Sequence, residues 1–232
     1  MYFGLSEDQI FFQDNVKKFL EDNAPLDAVK KITEGADLST KDELHQGLIN
    51  LGINNILIPE ENGGLGLDLL FSSAVSQSLG EGIATLPFVG PYVIAPIAIK
   101  YGASDSQKEK LFNEMSQNLI NCGVGFSEYF GSRDSSDLSI SNNKITGRTL
   151  FVLDVDFASH VMLCDKKGQI GLVSLESQGI EIIDLTTVDK TRTYKEMIFK
   201  DTPIEILDKT KTSIEAAEMA LSAGRIVAAA DS

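Results

Sequence analysis

Two histidines, two cysteines and a pair of acidic loop residues are the groups in this sequence that could do chemistry on their own. A zinc site built on His45 and His160 would need carboxylates as its further ligands, so we expect no metal site. We predict that His45 lies on the surface of a helix and that His160 is a strand residue beside a turn. Glu60 and Glu61 could act as an acid and a base, but acidic loop residues are usually only solvated.

The sequence motifs of several large enzyme classes are absent. There is no Gly-x-Ser-x-Gly nucleophile elbow and no phosphate-binding loop that ends in Gly-Lys-Ser or Gly-Lys-Thr. Gly64 and Gly66 are followed by Leu69 where a dinucleotide motif needs a third glycine. We therefore interpret this glycine-rich loop as packing geometry and not as a phosphate site.

Composition excludes two further classes of function. The 232 residues carry a net charge of −14, and no basic stripe is present, so repulsion from phosphate disfavours a nucleic-acid partner. The longest apolar run, residues 87–99, is interrupted by one glycine and two prolines, which predicts no membrane span. The first residues lack the pattern of a signal peptide. With Cys122 and Cys164 expected as buried free thiols, we predict a cytoplasmic protein.

Helices are predicted for the first half of the chain. Ser6, Thr40 and Ser104 each precede a glutamine or glutamate by three residues, which is typical of a capping box at the start of a helix. Apolar residues follow each of them at helical spacing, with Leu119 on the inner face of the helix that starts after Ser104. Residues 71–79 show the same spacing and predict one more helix.

Strands are predicted beyond Cys122, where the hydrophobic period changes to alternation. Residues 138–147 indicate a hairpin that turns at Asn142 and Asn143, and further strands are predicted within residues 160–175, 179–184 and 195–199. Short antiparallel strands at this spacing favour a small β-barrel. From Asp208 onward Ile214, Ala217, Leu221 and Ile226 predict a last helix. Because no C-cap glycine or proline follows it, we expect this helix to be cut short.

Four stretches of the sequence resemble the acyl-CoA dehydrogenase family of flavoproteins. Residues 5–20 resemble the family's opening helix, and residues 51–66, which read LGINNILIPEENGGLG, resemble its helix–loop signature most specifically. Residues 101–111 resemble the helix that leads into the family's barrel. Residues 189–194 and 223–230 resemble a strand pair and the first helix beyond it.

The resemblance implies an α+β fold of three parts. We expect an N-terminal helical domain over residues 1–121, a small antiparallel β-barrel over 122–206 and the first helix of a truncated C-terminal bundle over 207–232. The implied reaction is FAD-dependent oxidation of the Cα–Cβ bond of an acyl-CoA in fatty acid metabolism, with electrons passing to an electron-transfer flavoprotein. The family's catalytic glutamate belongs to the C-terminal bundle, so we expect none here and an inactive 232-residue chain.

Two motifs resemble the family's flavin site with departures. Residues 127–134, SEYFGSRD, stand where the family commonly has TEPGAGSD, and residues 151–153, FVL, stand where it has WIT or WIS. Ser127 keeps a hydroxyl, whereas Leu153 has none, and one lost hydrogen bond weakens a site by about 0.5–1.5 kcal/mol. Tyr129 and Phe130 replace a proline and a glycine. The expected flavin-binding residues are Phe126, Ser127, Ser132, Phe151 and Leu153.

The remaining assignments have alternatives. Ser132 and Arg133 are expected to contact substrate, although Arg133 is equally consistent with a plain surface residue. Phe151 could equally fill the barrel core. Arg192 is better explained as an ion-pairing strand residue than as a ligand contact.

Three functions therefore remain open from sequence. The first is an acyl-CoA dehydrogenase, expected as a homo-oligomer or as a hetero-oligomer with a related subunit. The second is a degenerate, flavin-poor structural subunit of a hetero-oligomeric dehydrogenase. The third is a flavin monooxygenase on the same fold.

Overall fold

The computed structural model describes residues 4–127, 137–208 and 213–231. Its α-helices are α1 (Glu7–Asn23), α2 (Leu26–Thr33), α3 (Leu38–Asn50), α4 (Leu69–Glu81), α5 (Ala95–Gly102), α6 (Asp105–Ser116) and α7 (Ser213–Ala230), and a π-helical turn (Gly90–Ile94) runs into α5. Its strands are β1 (Cys122–Gly125), β2 (Ser139–Ser141), β3 (Lys144–Leu153), β4 (His160–Cys164), β5 (Ile170–Ser174), β6 (Ile180–Leu185), β7 (Tyr194–Pro203) and β8 (Glu205–Ile206).

Side-chain caps set the starts of the helices. The capping boxes predicted at Ser6 and Ser104 are both confirmed. The box predicted at Thr40 is wrong, because α3 begins three residues earlier than such a box requires and Asp37 is its N-cap. The Asp37 carboxylate accepts hydrogen bonds from the Thr40 backbone N–H at 3.1 Å and from the Thr40 hydroxyl at 2.7 Å. A carboxylate that accepts two hydrogen bonds is a better N-cap than a hydroxyl that would accept one.

The inner face of α6 is shorter than predicted. Leu111, Phe112 and Met115 are buried, but the helix ends at Ser116. Asn118 then takes a left-handed backbone conformation with φ +57°. The chain turns away there and Leu119 is exposed, so its predicted place in the core is wrong.

The described strands form one eight-stranded sheet with the order β6-β7-β3-β1-β4-β5-β8, and β2 pairs with β3. The predicted hairpin is confirmed, since Asn142 and Asn143 connect β2 to β3 with φ values of +51° and +56°.

The prediction that all strands are antiparallel is wrong for one pair of strands. β1 lies between β3 and β4 and runs parallel to β4, so the sheet is mixed. The predicted α+β class, helical domain followed by sheet and a last helix, is confirmed.

Strands β1, β4 and β5 are covered on both faces. One face packs against α5, α6 and α7, and the other meets β3 and β7. Residues at alternating positions divide between these two cores: Met162 faces the helices, while Val161 and Leu163 face the strands. A third core joins α1 to α4 and includes Val227 of α7.

Helix α7 packs against the N-terminal helices with its smallest side chains. Ala217 and Leu221 are buried as predicted, but Ile214 and Ile226 are exposed, so half of the predicted apolar face is wrong. The reason is close backbone approach: a Cβ on Gly102 would lie 3.2 Å from that of Ala216. Alanines fit such a contact and isoleucines do not. No helix within the described ranges is long and apolar enough to span a bilayer.

Candidate functional site

The end of β1 is tied to the middle of β3. The Ser127 hydroxyl donates a hydrogen bond to the carbonyl oxygen of Leu150 at 2.6 Å and lies 3.3 Å from the hydroxyl of Thr149, which is fully buried. This contact places Ser127 next to the residues just before Phe151. The structure therefore brings Ser127, the described residue of the first predicted motif, next to the second predicted motif.

Phe151 stands at an irregularity in β3. The register between β3 and β7 shifts between Thr149 and Val152, and Phe151 in the gap has φ +56°. A left-handed conformation at a bulky residue costs of order 1–3 kcal/mol and persists only where the surroundings enforce it. The residue is 37% exposed, and its ring meets Tyr194 edge-on at a centroid distance of 6.1 Å. The sequence left open whether Phe151 fills the core, and its exposure favours a role at the surface of the sheet.

Leu153 and Phe126 occupy different environments. Leu153 pairs with Val124 of β1 and with Tyr194 of β7, and it is half-buried. It brings no polar side-chain atom to this part of the sheet. Phe126 is 4% exposed and packs in the core between sheet and helices. The other predicted contact residues, Ser132 and Arg133, lie outside the described residues.

A buried carboxylate follows directly after β3, and the sequence analysis missed it. Asp154 has φ +60° and accepts a hydrogen bond from the Gly90 backbone N–H at 3.1 Å. Burial raises the pKa of this carboxyl to about 6, against the lowering effect of Arg192 and of the hydrogen bond from Gly90. An aspartate inside the FVLDV segment was the signal in the sequence, because an apolar run rarely carries a charge without a partner.

Arg192 ties three parts of the chain together. Its guanidinium donates to the carbonyl oxygen of Leu86 at 3.1 Å and pairs with the carboxylate of Asp231 at 2.5 Å. The predicted ion-pairing role is thus confirmed, although Arg192 lies in a bend before β7 and not in a strand. The contacts link the loop after α4, the sheet and the residue after α7.

The two histidines have structural partners. The prediction that His45 is exposed is wrong: it is 7% exposed, and its Nε2 lies 2.9 Å from the Tyr92 hydroxyl. Burial lowers the pKa of His45 to about 4, so the ring is neutral near pH 7. His160 is the first residue of β4, and its Nδ1 lies 3.0 Å from the Ser159 hydroxyl. Helical periodicity alone could not show that α3 packs with this side against Tyr92.

The two thiols are confirmed as buried and free. Burial raises the pKa of Cys122 to about 12 and raises that of Cys164 as well. Thiols with such pKa values are not nucleophilic at neutral pH. The described residues therefore offer surfaces and hydrogen-bonding groups for a ligand at β3, and no activated thiol.

Comparison with known proteins identifies the N-terminal half. Residues 6–118 match the family model described as "Acyl-CoA dehydrogenase, N-terminal domain". This chain carries an acyl-CoA dehydrogenase N-terminal domain. The family predicted from the sequence motifs is thereby confirmed. A search of curated proteins found no match.

Solved structures of the acyl-CoA dehydrogenase fold resemble the whole chain. Butyryl-CoA dehydrogenase from Megasphaera elsdenii has a TM-score of 0.76 at 19% identity, covering 100% of this chain and 66% of its own. An acyl-CoA dehydrogenase complexed with FAD from Bacillus anthracis scores 0.78 at 16% identity, covering 95% and 41%. The ChsE4–ChsE5 complex from Mycobacterium tuberculosis scores 0.71 at 13% identity, covering 96% and 61%. At these identities the likeness establishes the fold, and the chain spans less than two thirds of each structure's length.

Proposed function

We propose that this protein is an FAD-dependent acyl-CoA dehydrogenase to which the chain contributes the helical domain, the flavin-facing sheet and the first helix of a further bundle. One observation carries the proposal. Phe151 holds an exposed ring at a strained position in β3, beside Ser127, where the family motif has its flavin-stacking aromatic residue. Backbone strain of this kind is found most often at ligand-binding and active sites.

The described residues fit part of a flavin site. Phe151 supplies an aromatic platform, and Ser127 supplies a hydroxyl group beside it. Leu153 supplies an apolar contact only. We therefore expect a site that stacks on the flavin ring through Phe151 and makes fewer side-chain hydrogen bonds than the family motif provides.

Each segment has a separate task in the proposed reaction. Bound FAD would supply the acceptor for the hydride that leaves Cβ of an acyl-CoA thioester. Phe151 and Ser127 would orient that ring, and Ser132 and Arg133 are proposed to contact the substrate. The base that removes the α-proton is expected from the family's C-terminal bundle. Electrons are proposed to leave to an electron-transfer flavoprotein.

The visible absorption spectrum of the complete natural gene product, purified without added cofactor, tests the proposal. We expect a flavin band that bleaches when an acyl-CoA is added under anaerobic conditions. A colourless protein that stays colourless after incubation with FAD would overturn the proposal.

A second candidate function is favoured by Leu153. Without a hydroxyl at that position, the chain could serve as the structural half of a mixed oligomer whose flavin sits on a related subunit. The same spectrum separates the two functions, because a structural subunit stays colourless when it is purified alone. It would gain the flavin band only on co-purification with a related flavin-binding subunit.

A further inference from the structure

Two left-handed residues bracket the segment of β3 that faces the proposed flavin. Phe151 has φ +56° and Asp154 has φ +60°, with Val152 and Leu153 between them. This conformation is costly for a phenylalanine and is tolerated more easily by an aspartate, so contacts must hold at least the Phe151 end of this short segment. At the Phe151 end the holding contact is the hydrogen bond from Ser127 to Leu150.

At the other end the holding contact is Asp154. Its Oδ2 accepts from the backbone N–H of Gly90, at the start of the π-helical turn in the helical domain. A Cβ at Gly90 would lie 2.7 Å from this oxygen, so the approach requires glycine. The sheet and the helical domain therefore meet here through one side chain and one backbone amide.

Charged groups surround this contact. Arg192 lies close enough to lower the pKa of Asp154. Of the two other charged groups nearby, Asp156 raises this pKa and Lys41 lowers it. Lys41 pairs with Asp156 at 3.1 Å, and Lys195 pairs with Asp156 at 2.9 Å. Cations on both sides allow a carboxylate to stay ionised in a buried position.

We propose that Asp154 is a positioning residue that clamps the end of β3 to the helical domain and so fixes Phe151 and Leu153 in their flavin-facing geometry. The proposal rests on the proposed flavin function for its consequence, and on the Asp154–Gly90 contact for its structure. Asp154 itself makes no contact with the reacting atoms in this account.

Four variants of the full-length protein test the clamp. Asp154→Ala removes the acceptor, Asp154→Asn keeps an acceptor oxygen without the charge, and Gly90→Ala obstructs the contact from the other side. Asp165→Ala is the matched control. Asp165 is also buried and also accepts backbone N–H bonds, from Lys167 and Gln169, but in the turn between β4 and β5.

Two readouts are compared: amide hydrogen exchange of the peptide that contains residues 150–154, and FAD affinity of the apoprotein. We expect Asp154→Ala and Gly90→Ala to speed exchange in this peptide and to weaken FAD binding about tenfold or more. Asp154→Asn should stay within about threefold of wild type for FAD. Asp165→Ala should leave both readouts near wild type even where it lowers the melting temperature.

The two readouts separate the clamp from the flavin function. Unchanged exchange in Asp154→Ala would overturn the clamp, as would equal losses of FAD affinity in Asp154→Ala and Asp165→Ala. If wild type bound no FAD, the proposed function would fail, and the exchange data alone would decide the clamp.

Discussion

Phe151 and Leu153 lie two residues apart on one strand and differ in what they can offer a planar ligand. Phe151 brings an exposed aromatic ring, whereas Leu153 brings a branched alkyl group where the family motif has a hydroxyl. The first favours stacking and the second removes a hydrogen bond. At the residue scale the proposed flavin site is therefore strong in apolar contact and weak in polar contact.

Leu153→Thr restores the missing hydroxyl and should tighten FAD binding. One added hydrogen bond contributes about 0.5–1.5 kcal/mol, which corresponds to roughly 2- to 10-fold in the dissociation constant. Fluorescence titration of the apoprotein measures the change. Leu175→Thr is the control, because Leu175 is also half-buried but follows β5. Equal effects in both variants would show that the hydroxyl does not reach a flavin.

The buried His45 makes stability depend on pH. Its pKa is about 4 in the folded chain and near 6.5 when solvated, so the unfolded chain takes up a proton first as pH falls. The stability that neutral His45 contributes is present above pH 6.5 and is lost between pH 6.5 and 4, by at most about 3 kcal/mol.

Urea unfolding at several pH values checks this prediction against His45→Gln, which cannot titrate. The difference in unfolding free energy between wild type and variant should shrink as pH falls through this window. A difference that stays constant between pH 7 and 4 would mean that His45 is already protonated or exposed in the folded chain.

At the scale of secondary-structure elements, close contacts between helices determine how α7 packs. Helix α7 lies against α4 and α5, and glycines stand where the backbones approach. A Cβ on Gly80 of α4 would lie 2.0 Å from the backbone oxygen of Asp231, which follows α7. The nearest atoms to a Cβ on Gly224 of α7 would belong to side chains, of Ile94 at 2.7 Å and of Val89 at 3.6 Å. Side chains can shift more easily than backbone.

Gly80→Ala should therefore destabilise the protein more than Gly224→Ala. Both substitutions gain about 1 kcal/mol of helix propensity. Gly80→Ala has to displace backbone, an overpacking cost of about 1–3 kcal/mol or more, and the shift also pulls Asp231 away from Arg192. Thermal unfolding compares the two variants. A melting temperature of Gly80→Ala equal to or higher than that of Gly224→Ala would contradict this prediction.

Local signals in the sequence predicted most helices and strands. The features that the sequence did not predict depend on contacts between elements. The caps at Ser6 and Ser104 and the hairpin at Asn142–Asn143 depend on residues within a few positions, so they could be predicted. The burial of His45 and the parallel β1–β4 pair depend on distant partners. For the site, the motif comparison pointed to Ser127 and Phe151, which the structure brings together. It missed Asp154, whose partner Gly90 is 64 positions away.

At the scale of the whole molecule, the site lies where the sheet meets the helical domain. Asp154 reaches Gly90, and Arg192 reaches both Leu86 and Asp231, so contacts with both helical parts hold the ends of the sheet. The fold is shared with acyl-CoA dehydrogenases over 95–100% of this chain but over only 41–66% of theirs. The proposed activity belongs to the whole protein, while the surface proposed to face the flavin belongs to this chain.

The most direct test of that surface is a titration of the apoprotein with FAD, comparing wild type, Phe151→Ala and Phe11→Ala. Phe11 is the matched control, because it is an exposed phenylalanine on α1. Wild type and Phe11→Ala should bind alike, and Phe151→Ala should bind at least about fivefold more weakly, since an aromatic stack contributes about 1–3 kcal/mol. Equal affinity of all three proteins, or no binding by wild type, would contradict the placement of a flavin on Phe151.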